Sequence, residues 1–188
     1  MSTSSALDPR APLVLDTSEL GRRPGLQRQR SFEAAAPAEL GIEVIGVPEG
    51  SPMQLDLRLE AVMEGVLVTG TAVVRLEGEC ARCVTEIEDE VEVDYCELYV
   101  YEREARRAGD EDDDTLAMDG DLLDLEPLLR DAIVLQLPFQ PLCEPDCPGL
   151  CAECGVRLAD EPEHDHGEPV DIRLAGLADL RTRLAEGS

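Results

Sequence analysis

Tryptophan, lysine and asparagine are absent from this sequence of 188 residues, and aromatic residues make up only 3% of it. Since hydrophobic residues still account for 43%, the core must be built from aliphatic side chains. No apolar run approaches the roughly 20 residues that cross a membrane as a helix. The first eight residues lack the basic start and apolar stretch of a signal peptide. We therefore expect a cytoplasmic protein with no membrane partner and one main domain.

Basic residues are scarce as well, because 16 arginines stand against 42 acidic residues and the formal net charge is −26. A surface this acidic repels the phosphates of nucleic acids and attracts basic proteins at low salt. Binding of nucleic acid by the whole surface, without regard to base sequence, is therefore disfavoured.

The N-terminal segment reverses this balance, because five arginines stand against two acidic residues between residues 9 and 31, a local net charge of +3. Prolines and glycines interrupt the segment, so we expect residues 1–41 to form an extended basic arm with one short strand at residues 13–15. The arginines either lie in a solvated surface loop or contact RNA or another partner. They are Arg10, Arg22, Arg23, Arg28 and Arg30.

The middle of the chain has the alternating pattern of half-buried β-strands. Apolar side chains recur at every second position over residues 53–61 and again over residues 66–76, and Glu64-Gly65 can turn the chain between them. A third long strand is expected over residues 84–100, with acidic residues on one face. Such a sheet needs a cover for its apolar face. We therefore predict an α+β fold, in which an antiparallel sheet or partly open barrel is covered by one amphipathic helix.

The covering helix is expected after an acidic loop at residues 102–121. Asp124 can cap its start, and apolar residues at helical spacing run to Gln136. The β-rich core with its loop and helix thus covers residues 42–138. Residues 139–188 are predicted to form a zinc-binding C-terminal segment, which ends in a short amphipathic tail helix.

Four cysteines within twelve residues follow the helix, at Cys143, Cys147, Cys151 and Cys154. Tetrahedral zinc takes four thiolates about 2.3 Å from the ion, and short spacings of this kind bring them together without a large fold. In a chain without an export signal, such a cluster favours metal over disulfide bonds. We therefore predict a structural zinc ion at these four cysteines.

A second thiol pair, Cys80 and Cys83, lies between the second and third predicted strands, where a hairpin would turn. In one alternative, this pair binds zinc together with Cys151 and Cys154 as a two-knuckle zinc ribbon, and Cys143 and Cys147 are not ligands. That arrangement closes a loop of about seventy residues, so chain entropy favours the local cluster. A redox dithiol at Cys80 and Cys83 is a third interpretation, and it needs a neighbour that lowers a thiol pKa.

The remaining cysteine and both histidines give no separate signal. Cys96 lies in a predicted strand and is expected to be a small buried residue. His164 and His166 lie ten or more residues beyond the cluster in an acidic stretch, and we expect them to be solvated. No Ser-His-Asp arrangement and no phosphate-binding glycine loop stands out, and a closed four-thiolate zinc lacks the open position of a catalytic site. We therefore expect no enzymatic activity and no small-molecule substrate.

Five stretches of sequence carry a family resemblance, and together they are far more specific than any one of them. They are residues 12–17 with 20–23, residues 41–74, Gly-Glu-Cys-Ala-Arg-Cys at 78–83, residues 121–138, and Cys-Pro-Gly-Leu-Cys with Cys-Gly at 147–155. With these stretches the chain resembles the YceD family, the large ribosomal RNA subunit accumulation proteins, and in particular its actinobacterial branch. The resemblance covers nearly the whole chain apart from the acidic loop.

The resemblance implies a role in the accumulation of 23S ribosomal RNA, and hence in assembly of the large ribosomal subunit. We therefore expect a non-catalytic factor whose partners are the pre-50S particle, a ribosomal protein or 23S ribosomal RNA. Some members of the family have the first thiol pair without the C-terminal cysteines, which favours a self-contained zinc site at residues 143–154. The alternative functions are a zinc-ribbon adaptor in transcription and a dithiol oxidoreductase.

Overall fold

The computed structural model describes residues 7–101 and 116–166 of the chain. The predicted tail helix and most of the predicted acidic loop lie outside these residues. The chain divides into two compact units, Met1–Pro145 and Asp146–Ser188. In the described part of the chain, no helix is long and apolar enough to span a membrane.

Within the described residues, the first unit contains eight strands and one helix. In chain order these are β1 (Val14–Asp16), β2 (Gln27–Ala35), β3 (Leu40–Ile42), β4 (Ile45–Val47), β5 (Pro52–Ala61), β6 (Gly65–Glu79), β7 (Glu86–Val100), β8 (Leu122–Asp124) and α1 (Glu126–Gln136). The described residues of the second unit contain an isolated bridge between Leu150 and Arg157.

Six of the strands form one open, mostly antiparallel sheet. Its order is β2-β5-β6-β4-β3, and β7 pairs with the other side of β6. Strands β1 and β8 form a separate antiparallel pair. The predicted α+β class, with an antiparallel sheet and one helix, is confirmed for the described residues, and of the two predicted forms the open sheet is the one present.

The alternation that predicted the strands also decides which face of the sheet is buried. The five apolar side chains of β5 are at most 5% exposed, whereas the polar ones between them are exposed or half-buried. Strand β6 pairs with β5 as the predicted hairpin and with β7 over fifteen residue pairs. The outermost of these fifteen pairs are Gly65 with Val100 and Glu79 with Glu86.

Strand β2 lies within the segment that the sequence predicts to be an extended arm. Its nine residues, Gln27–Ala35, pair with β5 along their whole length, and β2 is an edge of the sheet. Seven of the nine side chains are exposed, so the strand has no apolar alternation that would reveal it in the sequence. The short strand predicted just before it is present, one residue further on, as β1.

Helix α1 supplies the predicted cover for the apolar face. Its buried side chains, Leu128, Leu129 and Ile133, belong to the main hydrophobic core, and the helix contacts β3 and β7. The carboxylate of Asp124 accepts a hydrogen bond from the N–H of Glu126 at 2.9 Å. This bond satisfies one of the amides that a helix start leaves without an internal partner. The helix ends at Gln136 as predicted, whereas its N-cap is Leu125, one residue after the predicted Asp124.

Gly70 of β6 lies where the backbone of β5 leaves no room for a side chain. A Cβ atom at this position would meet the carbonyl oxygen of Asp56, and it would lie 2.9 Å from the Cα of Leu57. Because backbone atoms of a paired strand cannot move aside as a flexible side chain can, we expect Gly70→Ala to lower the free energy of unfolding by at least about 2 kcal/mol in a denaturant titration. Thr71→Ala on the same strand is the control, with an expected loss within about 1 kcal/mol. Equal losses in the two variants would contradict the prediction.

Candidate metal centre

The turn between β6 and β7 positions the first thiol pair. Residues 80–85 connect the two strands and include both Cys80 and Cys83. The N–H of Cys80 donates to the carbonyl of Thr85 at 2.8 Å, and the N–H of Val84 donates to the carbonyl of Cys80 at 2.9 Å. These two bonds fold the C-x-x-C segment into a tight loop, which holds the two sulfur atoms within 4.8 Å of each other.

The chain after α1 brings a third thiol to this turn. The N–H of Ala81 donates to the carbonyl of Pro141 at 2.8 Å. Two residues further on, the Sγ of Cys143 lies 3.6 Å from the Sγ of Cys83. The hydrogen bond from Ala81 therefore fixes the segment that carries Cys143 against the hairpin turn.

The sulfur atoms of Cys80, Cys83, Cys143 and Cys147 all lie within 4.8 Å of one another. We call these four residues the tip cluster. Around a tetrahedral zinc ion with Zn–S bonds of about 2.3 Å, neighbouring sulfur atoms lie roughly 3.8 Å apart, so the spacing fits such an ion. Three of the four cysteines are at most 4% exposed, and only Cys143 is exposed. The tip cluster can hold a thiophilic metal ion.

Backbone amides stabilise the thiolate form of Cys80. A hydrogen bond from the backbone of Cys143 is the main cause that lowers the pKa of the Cys80 thiol to about 6, and burial acts in the opposite direction. The backbone amides of Arg82 and Cys83 contribute less to the same lowering of the pKa. The lowered pKa favours the thiolate of Cys80, the form that binds a metal and that also attacks a disulfide.

The structure divides the four predicted zinc ligands between two groups. Cys143 and Cys147 lie in the tip cluster, whereas Cys151 and Cys154 lie with the two histidines of the chain. This grouping differs from both arrangements expected from the sequence. The thiols of the tip cluster meet across sixty residues because the sheet and α1 already bring the hairpin turn to the loop after the helix. Folding of the core therefore brings the two segments together, and the entropic cost of closing this long loop does not fall on metal binding.

The histidines are the ligand-type side chains that sequence reasoning set aside. The sequence predicts that both are solvated, but the structure places the Nε2 of His164 3.1 Å from the Sγ of Cys154. The Nε2 of His166 lies 2.9 Å from that of His164. The signal available in the sequence is the H-x-H spacing after a C-x-x-C pair, since mixed cysteine and histidine ligands at short spacings are typical of zinc sites.

Cys96 is the one cysteine outside these two groups. The prediction that it is buried is wrong, because it is exposed on β7. Its neighbours Val93 and Tyr95 face the core, so the period of the strand turns Cys96 to the opposite face. There its Sγ lies 3.7 Å from the Oγ1 of Thr69.

The arginines predicted to contact RNA or another partner are distributed over several elements. Arg28 and Arg30 lie on the edge strand β2 and are exposed. Arg22 forms a salt bridge of 3.1 Å with Asp121 and lies 5.0 Å from the ring centre of Tyr101. Arg22 therefore makes contacts within the protein. Arg28 and Arg30 lie together on one exposed strand.

The turn of the tip cluster contains a strained residue. Val84 has a φ angle of 56°, a left-handed conformation that costs an L-residue about 1–2 kcal/mol. Gly155 is its counterpart after the second C-x-x-C pair, with a φ angle of 75°. We expect Val84→Gly to leave the free energy of unfolding unchanged or to raise it by up to about 1 kcal/mol, because relief of strain outweighs the added freedom of the unfolded chain.

The reverse change, Gly155→Val, is the comparison for this prediction. It introduces the same strain at the second turn and should lower stability. Denaturant or thermal unfolding of both variants measures the two effects. A loss of more than about 1 kcal/mol in Val84→Gly would show that the valine side chain has a stabilising role that its 57% exposure does not suggest.

Comparison with known proteins identifies the family. The family model described as "Large ribosomal RNA subunit accumulation protein YceD" matches residues 68–181. An uncharacterized protein of Mycobacterium tuberculosis (strain H37Rv) is 44% identical over 170 residues, which cover 90% of this chain and 82% of that protein. The uncharacterized protein YlbN of Bacillus subtilis is 29% identical over 103 residues, or 54% of this chain and 58% of its own. No solved structure matches the chain significantly. The chain therefore belongs to the YceD family.

Proposed function

We propose that the protein is a non-catalytic factor in assembly of the large ribosomal subunit, and that it supports the processing or accumulation of 23S ribosomal RNA in the cytoplasm. Membership of the YceD family is the observation that carries this proposal, because the family is described by large ribosomal RNA subunit accumulation. Its partners are then the pre-50S particle, through a basic ribosomal protein, 23S ribosomal RNA or both.

The outward face of the β6–β7 hairpin supports a basic partner. Seven exposed acidic side chains occupy alternate positions on this face, and we call them the acidic row: Glu77, Glu79, Glu86, Glu88, Glu90, Glu92 and Asp94. Two like-charged pairs stand directly opposite each other, Glu77 with Glu88 and Glu79 with Glu86. Like charges in such positions destabilise a sheet, so a basic partner gains from relieving their repulsion.

Only one basic side chain on these two strands compensates part of this charge. Arg75 forms salt bridges of 3.0 Å with both Glu77 and Glu88. The rest of the acidic row remains available to cations from outside the protein. Complementary charge of this kind chiefly raises the rate of association and excludes wrong partners, and its effect falls with ionic strength.

Strand β2 offers the opposite charge at another edge of the same sheet. Arg28 and Arg30 stand opposite Leu59 and Leu57 of β5, and both arginines are exposed. Guanidinium groups at an exposed edge suit phosphate contacts. A sheet with an acidic face on one hairpin and a basic edge strand suits a particle that contains both basic proteins and RNA.

We assign a structural zinc ion to the tip cluster as part of this proposal. Four thiolates provide a closed tetrahedral site with no open coordination position, which suits a structural role and not a catalytic one. The lowered pKa of the Cys80 thiol would also suit a redox dithiol. However, Cys80 and Cys83 are only 1% and 4% exposed, whereas reactive thiols need access to their partner.

Depletion of the protein tests the proposed function in cells. We expect depletion to lower mature 23S ribosomal RNA and to accumulate immature large subunits, as measured by RNA quantification and sucrose-gradient profiles. The wild-type gene supplied in trans is the control and should restore both. Normal ribosome profiles after depletion would contradict the proposal, and capture of RNA polymerase instead of ribosomal components would favour an adaptor in transcription.

Neutralising the acidic row tests the basic partner separately. The triple variant Glu88→Gln, Glu90→Gln and Glu92→Gln should bind pre-50S particles about tenfold more weakly at low salt, since three exposed charge pairs contribute roughly 1.5 kcal/mol together. The matched control removes three exposed acids elsewhere: Glu19→Gln, Glu33→Gln and Glu49→Gln. Because both variants change net charge equally, equal weakening would show that the row has no specific role.

Removal of the metal tests the structural role of the tip cluster. Structural zinc contributes on the order of 10 kcal/mol of apparent binding energy that is coupled to folding. We expect a chelator to speed amide hydrogen exchange at residues 80–85 and 141–158. The amides of β5 and α1, whose core does not depend on the metal, should remain protected and serve as the internal control. Uniform loss of protection would show instead that the whole sheet depends on the metal.

A further inference from the structure

A second group of ligand-type side chains lies within the C-terminal unit. Cys151, Cys154, His164 and His166 each place one ligand atom within 4.8 Å of those of the others. We call these four residues the C-terminal cluster. None of them belongs to the tip cluster, and all lie in Asp146–Ser188.

The C-x-x-C turn of this cluster has the same backbone geometry as the turn of the tip cluster. The N–H of Cys151 donates to the carbonyl of Val156 at 2.8 Å, and the N–H of Gly155 donates to the carbonyl of Cys151 at 2.8 Å. At the tip cluster, the same two bonds join Cys80 to Thr85 and Val84. In both turns the residue directly after the second cysteine has a left-handed conformation. The chain therefore contains two copies of one turn, each of which presents a pair of thiols.

The two histidine rings face the thiols through the same ring nitrogen. The Nε2 of His164 lies 3.1 Å from the Sγ of Cys154 and 2.9 Å from the Nε2 of His166. The rings are nearly perpendicular, with an interplanar angle of 86°. Two Nε2 atoms this close to each other and to a thiol sulfur place nitrogen and sulfur ligand atoms side by side, as a shared metal ion requires.

Carboxylates hold the other nitrogen of each ring. The Nδ1 of His164 lies 3.3 Å from Oε2 of Glu161, and the Nδ1 of His166 lies 3.5 Å from Oε2 of Glu153. A carboxylate at Nδ1 fixes the proton on that nitrogen and leaves Nε2 free to bind a metal. This pairing is the usual outer arrangement of a histidine that ligates zinc.

We propose that the C-terminal cluster binds a second zinc ion through the thiolates of Cys151 and Cys154 and the Nε2 atoms of His164 and His166. In a tetrahedral site with Zn–S bonds of about 2.3 Å and Zn–N bonds of about 2.0–2.1 Å, neighbouring ligand atoms lie roughly 3.3–3.8 Å apart. The observed separations are close to this range. Two sulfur and two nitrogen donors select zinc over oxygen-seeking magnesium or calcium.

The described residues of the C-terminal unit have little apolar core, which gives them a need for such an ion. Among its described residues, 146–166, the only buried ones are Cys147 and Gly149. A segment this short without an apolar core is normally stabilised by a metal or by disulfides. Neither Cys151 nor Cys154 is in a disulfide bond, so a metal is the stabilising element that this segment can use.

Metal stoichiometry of the full-length chain tests the proposal independently of any ribosomal role. Native mass spectrometry of protein purified with zinc should show two ions per chain. The double variant His164→Ala and His166→Ala should retain one, and Cys80→Ser with Cys83→Ser should also retain one. Cobalt substituted for zinc should then give a four-thiolate spectrum in the histidine variant and a spectrum of mixed sulfur and nitrogen ligands in the cysteine variant.

Two results would overturn the proposal. One is a single zinc ion per chain in both the wild type and the histidine variant. That result would favour a single site at the four cysteines of residues 143–154. The other is loss of both ions, or of neither, from the histidine variant.

Milder variants keep the test valid if the histidine variant does not fold. Glu153→Gln and Glu161→Gln should each weaken zinc binding at the C-terminal cluster about 10- to 100-fold in a chelator competition. Glu163→Gln is the matched control, because Glu163 is an exposed acidic residue close to Glu161 in the sequence. This variant should leave the affinity unchanged. Equal affinities in all three variants would also count against the proposal.

Discussion

The pairing of β6 with β7 is the interaction on which the other features depend. Fifteen consecutive residue pairs hold the two strands together. One face of this ladder contributes Val68, Val93 and Tyr99 to the core, and the opposite face presents the acidic row. The turn at its end carries the first two thiols of the tip cluster. Core residues, surface charge and candidate metal ligands are thus arranged along a single hairpin, and a change in its pairing would alter all three.

Backbone amides stabilise a thiolate in both candidate metal centres. A thiolate near other thiolates is repelled by them, and it needs donors that are fixed in place. The backbone supplies these donors, from within the C-x-x-C turn at Cys151 and chiefly from the segment after α1 at Cys80. For Cys151, hydrogen bonds from the backbones of Cys154 and Glu153 are the main causes that lower the pKa of the thiol to about 6, as the Cys143 backbone does for Cys80. Because backbone amides cannot be removed by side-chain substitution, the backbone conformation around each thiol sets its pKa.

The parts of the structure that could be predicted are those in which burial leaves a period in the sequence. The alternating residues of β5 predicted the sheet, and the helical spacing of α1 predicted its cover and the end of the helix at Gln136. Strand β2 could not be found in this way, because its polar side chains are exposed and only its pairing with β5 makes it a strand. The meeting of Cys83 with Cys143 is likewise a product of tertiary structure, since spacing along the chain carries no information about it. The H-x-H spacing at His164 was, by contrast, present in the sequence.

The tip cluster also has a consequence for the register of the longest ladder. Alternation of apolar and polar residues excludes a slip of one residue, because such a slip would turn every side chain to the other face. It does not exclude a slip of two residues, which preserves the faces and displaces one strand by about 6.8 Å along the other. That displacement would carry Cys83 away from Cys143, whose sulfur atoms now lie 3.6 Å apart. A metal bound between them would therefore reinforce the register that the hairpin turn sets and that hydrophobic burial alone does not specify.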